Sequence, residues 1–184
     1  MTYSPSSNRA PERIIGIDPG LDRTGWAVLE KAPCADPVLL ASGLIHTAAG
    51  LPLPLRLERL FNELKAVIQE HKPSGAAIEE MFFMKRSTSA SASVQARGVI
   101  LLAAQTCGLE ISGYDPSTVK KNVSGSGRAE KPQMQRMVRL ALKLEKELSP
   151  DDVSDAAAMA LCHLRMSAFG KLVRQGLEKA AIKS

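Results

Sequence analysis

Apolar and polar positions alternate along this chain with two different periods. Ile14–Asp18 is a short apolar run ending in an acid, the pattern of a buried strand. Trp26–Leu29 follows after a tight turn, and Val38–Ile45 is a third run with turn residues on either side. Three successive strands with short links predict an antiparallel meander. From Pro54 to His71 the period changes: Leu57, Leu60, Phe61, Leu64, Val67 and Ile68 recur at the spacing of an amphipathic helix. Ala76–Glu79 reads as a short strand. Ser87–Cys107 reads as a long helix whose small side chains permit close packing, another subunit included. Glu110–Tyr114 is a fifth strand, and a short helix around Ser117–Val123 leads into the loop Ser124-Gly125-Ser126-Gly127-Arg128. Pro132 starts a helix with Met134, Met137, Val138, Ala141 and Leu142 on one face, and Pro150 starts the last, running to about Met166.

No repeat or linker interrupts residues 13–166, so the pattern predicts one α/β domain, a mixed five-stranded sheet with helices on both faces. A Pro/Ser-rich tail over residues 1–12, expected to be disordered, precedes it, and a basic tail over 167–184 follows. The chain length of 184 residues suits one such core.

Composition changes this picture in three ways. Aromatic residues are only 4% of the chain, so the core depends on Leu, Ile, Val, Met and Ala. No apolar stretch is long enough to span a bilayer, and the first dozen residues lack the apolar centre of a signal peptide. Cys34, Cys107 and Cys162 are odd in number and widely spaced, which argues against a disulfide framework and for a reducing cytoplasm. The net charge is +5, and residues 116–147 carry eight basic side chains against three acids, whereas Asp151, Asp152 and Asp155 form an acidic segment. Such a basic stretch is either a solvated helix face or a surface for a polyanion.

The chemistry lies in four carboxylates. Asp18 closes the first strand in Gly16-Ile17-Asp18-Pro19-Gly20, and Glu79 closes another in Ala76-Ala77-Ile78-Glu79. Asp-Pro-Gly is also ordinary turn chemistry, so Asp18 alone is as readily a turn residue as a ligand; Asp22, in the same turn, reads as solvated. Glu79 and Glu80 point to opposite faces of a strand, and only Glu79 directly follows the apolar run. Asp152 and Asp155 lie three apart at a helix start and can share a side. Asp152 could equally complete a capping box with Ser149, but Asp155 lies past the first turn, among Val153, Ala156 and Ala157, where capping explains it poorly. Acids gathered at strand ends would repel one another unless hard cations held them. All-oxygen ligation suits Mg²⁺ or Mn²⁺, and two such ions about 3.5–4 Å apart clamp a phosphodiester for hydrolysis. The residues therefore point to a metal-dependent nuclease. His163 reads as a helix-packing residue, and His46 and His71 as surface residues.

Gly16-Ile17-Asp18-Pro19-Gly20 with Thr24-Gly25, Ala77-Ile78-Glu79-Glu80-Met81-Phe82, Gln95-Ala96-Arg97-Gly98, Ala129-Glu130-Lys131 and Asp152-Val153-Ser154-Asp155-Ala156 together resemble the RuvC family of Holliday junction resolvases, in order from about Ile14 to Met166. The resemblance implies an RNase H-like fold, a homodimer, and Mg²⁺-dependent paired nicks that resolve four-way DNA junctions in recombination and repair. It implies that Asp18, Glu79, Asp152 and Asp155 are the catalytic, metal-holding acids, that Phe82 stacks on a base, and that Lys120 and Lys131 contact DNA. It also implies the branch-migration proteins RuvA and RuvB as partners. Independently, a two-fold symmetric junction cut twice calls for two sites related by a dyad. Phe82-Phe83 suits stacking at an unpaired base, with Phe83 as readily a core residue. Lys120, Lys121, Arg128 and Lys131 flank the Gly-Ser-Gly loop, where they suit phosphate contacts; Arg136 and Arg139 either extend that surface or solubilise their helix. A sugar-kinase-like phosphotransferase would share the opening motif, but it needs a second domain for which this chain is too short. A ribosomal-RNA-processing nuclease would not predict the Phe82 segment with the late acid pair. A catalytically silent junction-binding module would not need all four acids.

Overall fold

A computed structural model describes the backbone of residues 10–80 and 88–181, and side chains within 10–80 and 92–167. Phe82 and Phe83 lie outside the described residues, as do residues 1–9. The strands are β1 (Glu12–Asp18), β2 (Arg23–Lys31), β3 (Val38–His46), β4 (Gly75–Glu79) and β5 (Glu110–Tyr114). The helices are α1 (Leu53–His71), α2 (Thr88–Thr106), α3 (Pro116–Ser124), α4 (Lys131–Ala141) and α5 (Asp151–Ala181). The expected five-stranded mixed sheet is present, in the order β3-β2-β1-β4-β5. The β1–β2–β3 meander is antiparallel, while β4 and β5 run parallel to β1.

Each face of the sheet carries its own core, because successive strand residues point to opposite sides. Ile15, Ile17, Val28, Ala76 and Ile78 pack with Leu60, Leu64 and Ile68 of α1 and Ile100, Ala103 and Ala104 of α2. Ile14, Ala27, Leu29 and Ala77 face α3, α4 and the alanine-rich start of α5. The helical periodicity of α1 has its physical reason here: its buried residues include Leu60, Leu64 and Ile68, one stripe against the sheet.

Two glycines let α5 lie directly on the strands. A Cβ at Gly16 would sit 2.0 Å from the Ala156 carbonyl oxygen, and one at Gly25 would sit 2.0 Å from that of Asp152. Both residues are therefore points of close backbone approach. They fix where the first turns of α5 cross the end of the sheet.

The last helix differs from expectation. It continues to Ala181, past Met166, because no proline or turn cluster interrupts the sequence after Pro150. Strand β2 is also longer at both ends than its apolar centre suggested. Its flanking Arg23, Thr24, Gly25, Glu30 and Lys31 stay in register with β1 or β3, so backbone pairing carries them despite their polarity.

Candidate active site

Period-two alternation decides which acids meet. Gly16 abuts α5, so Asp18, two residues on, also points to that face. Ala77 belongs to the same core, which places Glu79 beside it. β1 and β4 are parallel neighbours, so both carboxylates emerge at the same carboxyl end of the sheet. Across them lies the start of α5, with Asp155 on the turn above Ala156, whose carbonyl presses on Gly16. Glu80, the other half of the adjacent pair, is exposed and lies over Gly113 of β5.

Asp18, Glu79 and Asp155 line one cleft of about 310 Å³, together with Lys120, Lys131 and the apolar side chains of Pro116, Val119, Met134 and Met159. The electrostatics are those of acids pressed together. Burial first, then the charges of Asp155, Glu79 and Asp152, push Asp18 up to about 7, with Lys131 pulling the other way. Burial and the Asp155 charge raise Glu79. Burial raises Asp155 as well, opposed chiefly by Lys131. A carboxyl whose charged form is disfavoured by burial and then by neighbouring acids is a group that a cation would relieve.

Two basic side chains meet part of this negative charge. The Lys131 ammonium pairs with Asp151 and lies 3.5 Å from Asp155. Arg23, at the start of β2, donates to Asp152 Oδ2 at 2.5 Å and lies 3.7 Å from Asp151. The Asp152 carboxylate is thus directed to Arg23 rather than back to a Ser149 cap, and it does not line the cleft. Among the described residues no three of the acids stand close enough to close around a single ion as they are arranged. Their chemistry nonetheless fits a hard divalent cation: oxygen donors only, converging, partly desolvated and mutually repelling. Among the described residues the donors lining the cleft are carboxylate oxygens, the class that hard divalent cations prefer.

Of the predicted basic residues, Lys120 and Lys131 face the cleft. Lys121 and Arg128 are exposed outside it, on α3 and on the glycine-containing loop that follows. That loop is held by Ser124, whose hydroxyl donates to the Lys120 carbonyl and accepts from the Ser126 N–H. His163 packs as expected of a helix residue, its Nδ1 2.9 Å from the Tyr114 hydroxyl. Three arginines outside the cleft lining were not singled out from sequence for what they do. Arg23 binds Asp152. Arg97 of α2 donates from Nε to the Glu79 carbonyl at 3.1 Å, fixing the end of β4. Arg56, almost fully buried, donates to Thr47 and to Asp22. Asp22, read as a solvated turn residue, is exposed yet tied to α1 through that bond. All three meet partners in other elements, which spacing along the chain does not show; Arg97 stands in the Gln95–Gly98 motif without a role assigned to it.

The crossover junction endodeoxyribonuclease RuvC family model matches residues 14–163. A RuvC from Brevibacillus brevis is 41% identical over 91% of this chain and 99% of its own, and one from Chloroflexus aggregans is 46% identical over 82% and 92%. Among solved structures, T. thermophilus RuvC in complex with Holliday junction substrate has a TM-score of 0.81 at 30% identity, covering 86% of this chain and 96% of that one. The yeast mitochondrial Holliday junction resolvase, at 15% identity and a TM-score of 0.67, shares the fold. The architecture is RNase H-like, as the sequence resemblance implied. The chain belongs to the RuvC family of crossover junction endodeoxyribonucleases.

Proposed function

We propose that the protein resolves four-way DNA junctions by metal-dependent hydrolysis of phosphodiester bonds, in recombination and repair. The convergence of Asp18, Glu79 and Asp155 with Lys120 and Lys131 on one cleft carries this reading. Asp18, Glu79 and Asp155, with Asp152 beside them on α5, would be the residues that hold divalent cations, two per subunit in the reading we favour. When bound, Mg²⁺ or Mn²⁺ would lower the pKa of an attacking water and stabilise the charge that develops on the leaving oxygen. The chain's own residues do the rest. The apolar wall of Val119, Met134 and Met159 keeps bulk water from one side of the acids, which strengthens their charges. Lys120 and Lys131 meet the phosphate backbone and hold it over the carboxylates. Lys121 and Arg128 extend the contact along the DNA, and Phe82 is the base-stacking aromatic that the resemblance implies.

Paired cuts in a two-fold symmetric junction call for a homodimer, and the long, small-residue helix α2 suits its interface. RuvA and RuvB are the partners the resemblance implies. A cytoplasmic setting agrees with three cysteines that are all free thiols, and among the described residues no helix is long and apolar enough to cross a membrane.

The test is a synthetic four-way junction offered beside linear duplex. Wild type is expected to cut the junction in Mg²⁺ or Mn²⁺ and to stop in EDTA. Asp18→Asn is expected to bind it with near-normal affinity while cutting at least a hundredfold more slowly, about the cost of losing a central electrostatic group. Cleavage by the variant at the wild-type rate would remove the assignment of the acids. Binding without any metal-dependent cutting by wild type would favour a silent junction-binding module.

A further inference from the structure

We infer that Arg23 is a positioning residue: it is the resident counter-ion of Asp152, and by competing for that carboxylate it sets how tightly the site takes a divalent cation. The inference rests on the reading of the four acids as cation ligands.

Local geometry explains why an arginine at this position reaches a helix start far away in sequence. Arg23 opens β2 and lies two residues before Gly25, so both face α5. Gly25 has no Cβ, and the Asp152 carbonyl approaches the strand there as no other residue would allow. The long Arg23 side chain then passes over the first turn of α5 and meets the side chain of the same Asp152. Its guanidinium nitrogen is 2.5 Å from Asp152 Oδ2 and 3.7 Å from Asp151 Oδ1. Asp151 has a second cation in Lys131, which also approaches Asp155. Arg23 is therefore committed chiefly to Asp152.

The consequence follows from where Asp152 is not. Asp18, Glu79 and Asp155 line the cleft and Asp152 does not, although it stands three residues before Asp155 on the same helix, a spacing that puts two side chains side by side. Its carboxylate is near enough for its charge to act on Asp18 and Asp155, but its hydrogen bond goes to Arg23 at the start of β2. A divalent cation that recruits Asp152 must share it with Arg23 or displace Arg23 from Oδ2. Guanidinium and metal ion thus compete for one carboxylate. The competitor is about half exposed, with a side-chain accessibility of 44%, so its pairing is weak enough to be broken. Strong divalent charge can displace it; a monovalent ion cannot match it.

The experiment is direct titration of the full chain with Mn²⁺, by calorimetry and by the electron paramagnetic resonance signal of the free ion, with no DNA present. Arg23→Gln is expected to tighten Mn²⁺ binding about three- to tenfold, the scale of one partly screened charge pair. Arg23→Lys, which retains the charge, should stay within about twofold of wild type. In an Asp152→Asn background the same Arg23→Gln change should have no effect, because the shared carboxylate is gone. Unchanged or weaker binding by Arg23→Gln would overturn the inference. So would equal tightening in the Asp152→Asn background, since the effect would then be diffuse charge rather than competition. Arg23→Met keeps the aliphatic stem over the helix and provides the same comparison if Gln impairs folding, as read by thermal unfolding. Wild type failing to bind Mn²⁺ at all would remove the reading of the site itself. Wild type binding normally, with Arg23→Gln indistinguishable from it, would remove only the role of Arg23.

Discussion

At the scale of single residues, Asp18 has the most consequential environment. Its folded-state pKa of about 7 lies well above the ordinary aspartate value of 3.8. Between those values the folded chain keeps a proton that the unfolded chain has lost. Stability without cations must therefore fall as pH rises from about 4 to about 7 and then level off. Glu79 and Asp155 are raised too and act in the same direction. Asparagine at position 18 cannot ionise, so Asp18→Asn should escape this loss. In EDTA at pH 8 the variant is expected to be more stable than wild type by about 1–3 kcal/mol, with the gap closing near pH 4.5. Urea unfolding at the two pH values measures it. Adding Mg²⁺ at pH 8 should narrow or reverse the gap, because the ion stabilises only the protein with its full set of acids. A variant less stable than wild type at pH 8 without metal would mean that Asp18 is not electrostatically crowded.

At the scale of elements, the site exists because α5 can touch β1 and β2. The contact is backbone on backbone at Gly16, where an added Cβ would meet Ala156 O at 2.0 Å and Ala160 N at 2.8 Å. No flexible side chain is there to yield. Gly16→Ala should cost about 3 kcal/mol or more and unfold the protein at lower urea concentration. A midpoint within 0.5 M of wild type would show that the helix can shift at little cost (a tolerance of about 1 kcal/mol at typical denaturant slopes). This contact also marks the limit of what the sequence discloses. Strand ends at Asp18 and Glu79, the helical stripe of α1 and the proline-led helices are local patterns, and all five strands are legible from them. The convergence of Asp18, Glu79 and Asp155 is legible as well, since two of them end apolar runs and Asp155 has no capping role, whereas the pairing of Asp152 with Arg23 is not. Arg23, Arg97 and Arg56 are not, because each finds its partner in a different element, and spacing along the chain carries no trace of that. The length of α5 beyond Met166 is hidden for a different reason: the apolar period fades while nothing breaks the helix.

At the scale of the whole molecule, charge separates into an acidic cleft and a basic rim, within a chain whose net charge is +5. Lys131 lines the cleft beside the acids, so on the proposed reading it would couple DNA binding to cutting. Lys131 pairs with Asp151 and lies 3.5 Å from the more buried Asp155. A divalent ion that neutralises Asp155 would release the ammonium toward phosphate. Junction affinity should therefore rise when a non-cleaving divalent ion such as Ca²⁺ is added to wild type, and rise much less for Lys131→Ala. The salt dependence gives a second reading of the same event. Each phosphate contact contributes about 0.9 to the slope of log affinity against log salt on duplex arms. Lys120→Ala should lower that slope by about one unit with or without Ca²⁺, because Lys120 has no acid to leave. Lys131→Ala should lower it by about one unit only when Ca²⁺ is present. Fluorescence anisotropy with a labelled four-way junction, titrated across salt with and without the ion, separates the two lysines. Sedimentation alongside should show a particle of twice the 19.7 kDa of one chain, since only a dimer presents two such clefts to one junction. Identical slope changes for both variants under both conditions would mean that Lys131 is already on the DNA before any cation arrives, and the coupling between rim and cleft would be gone.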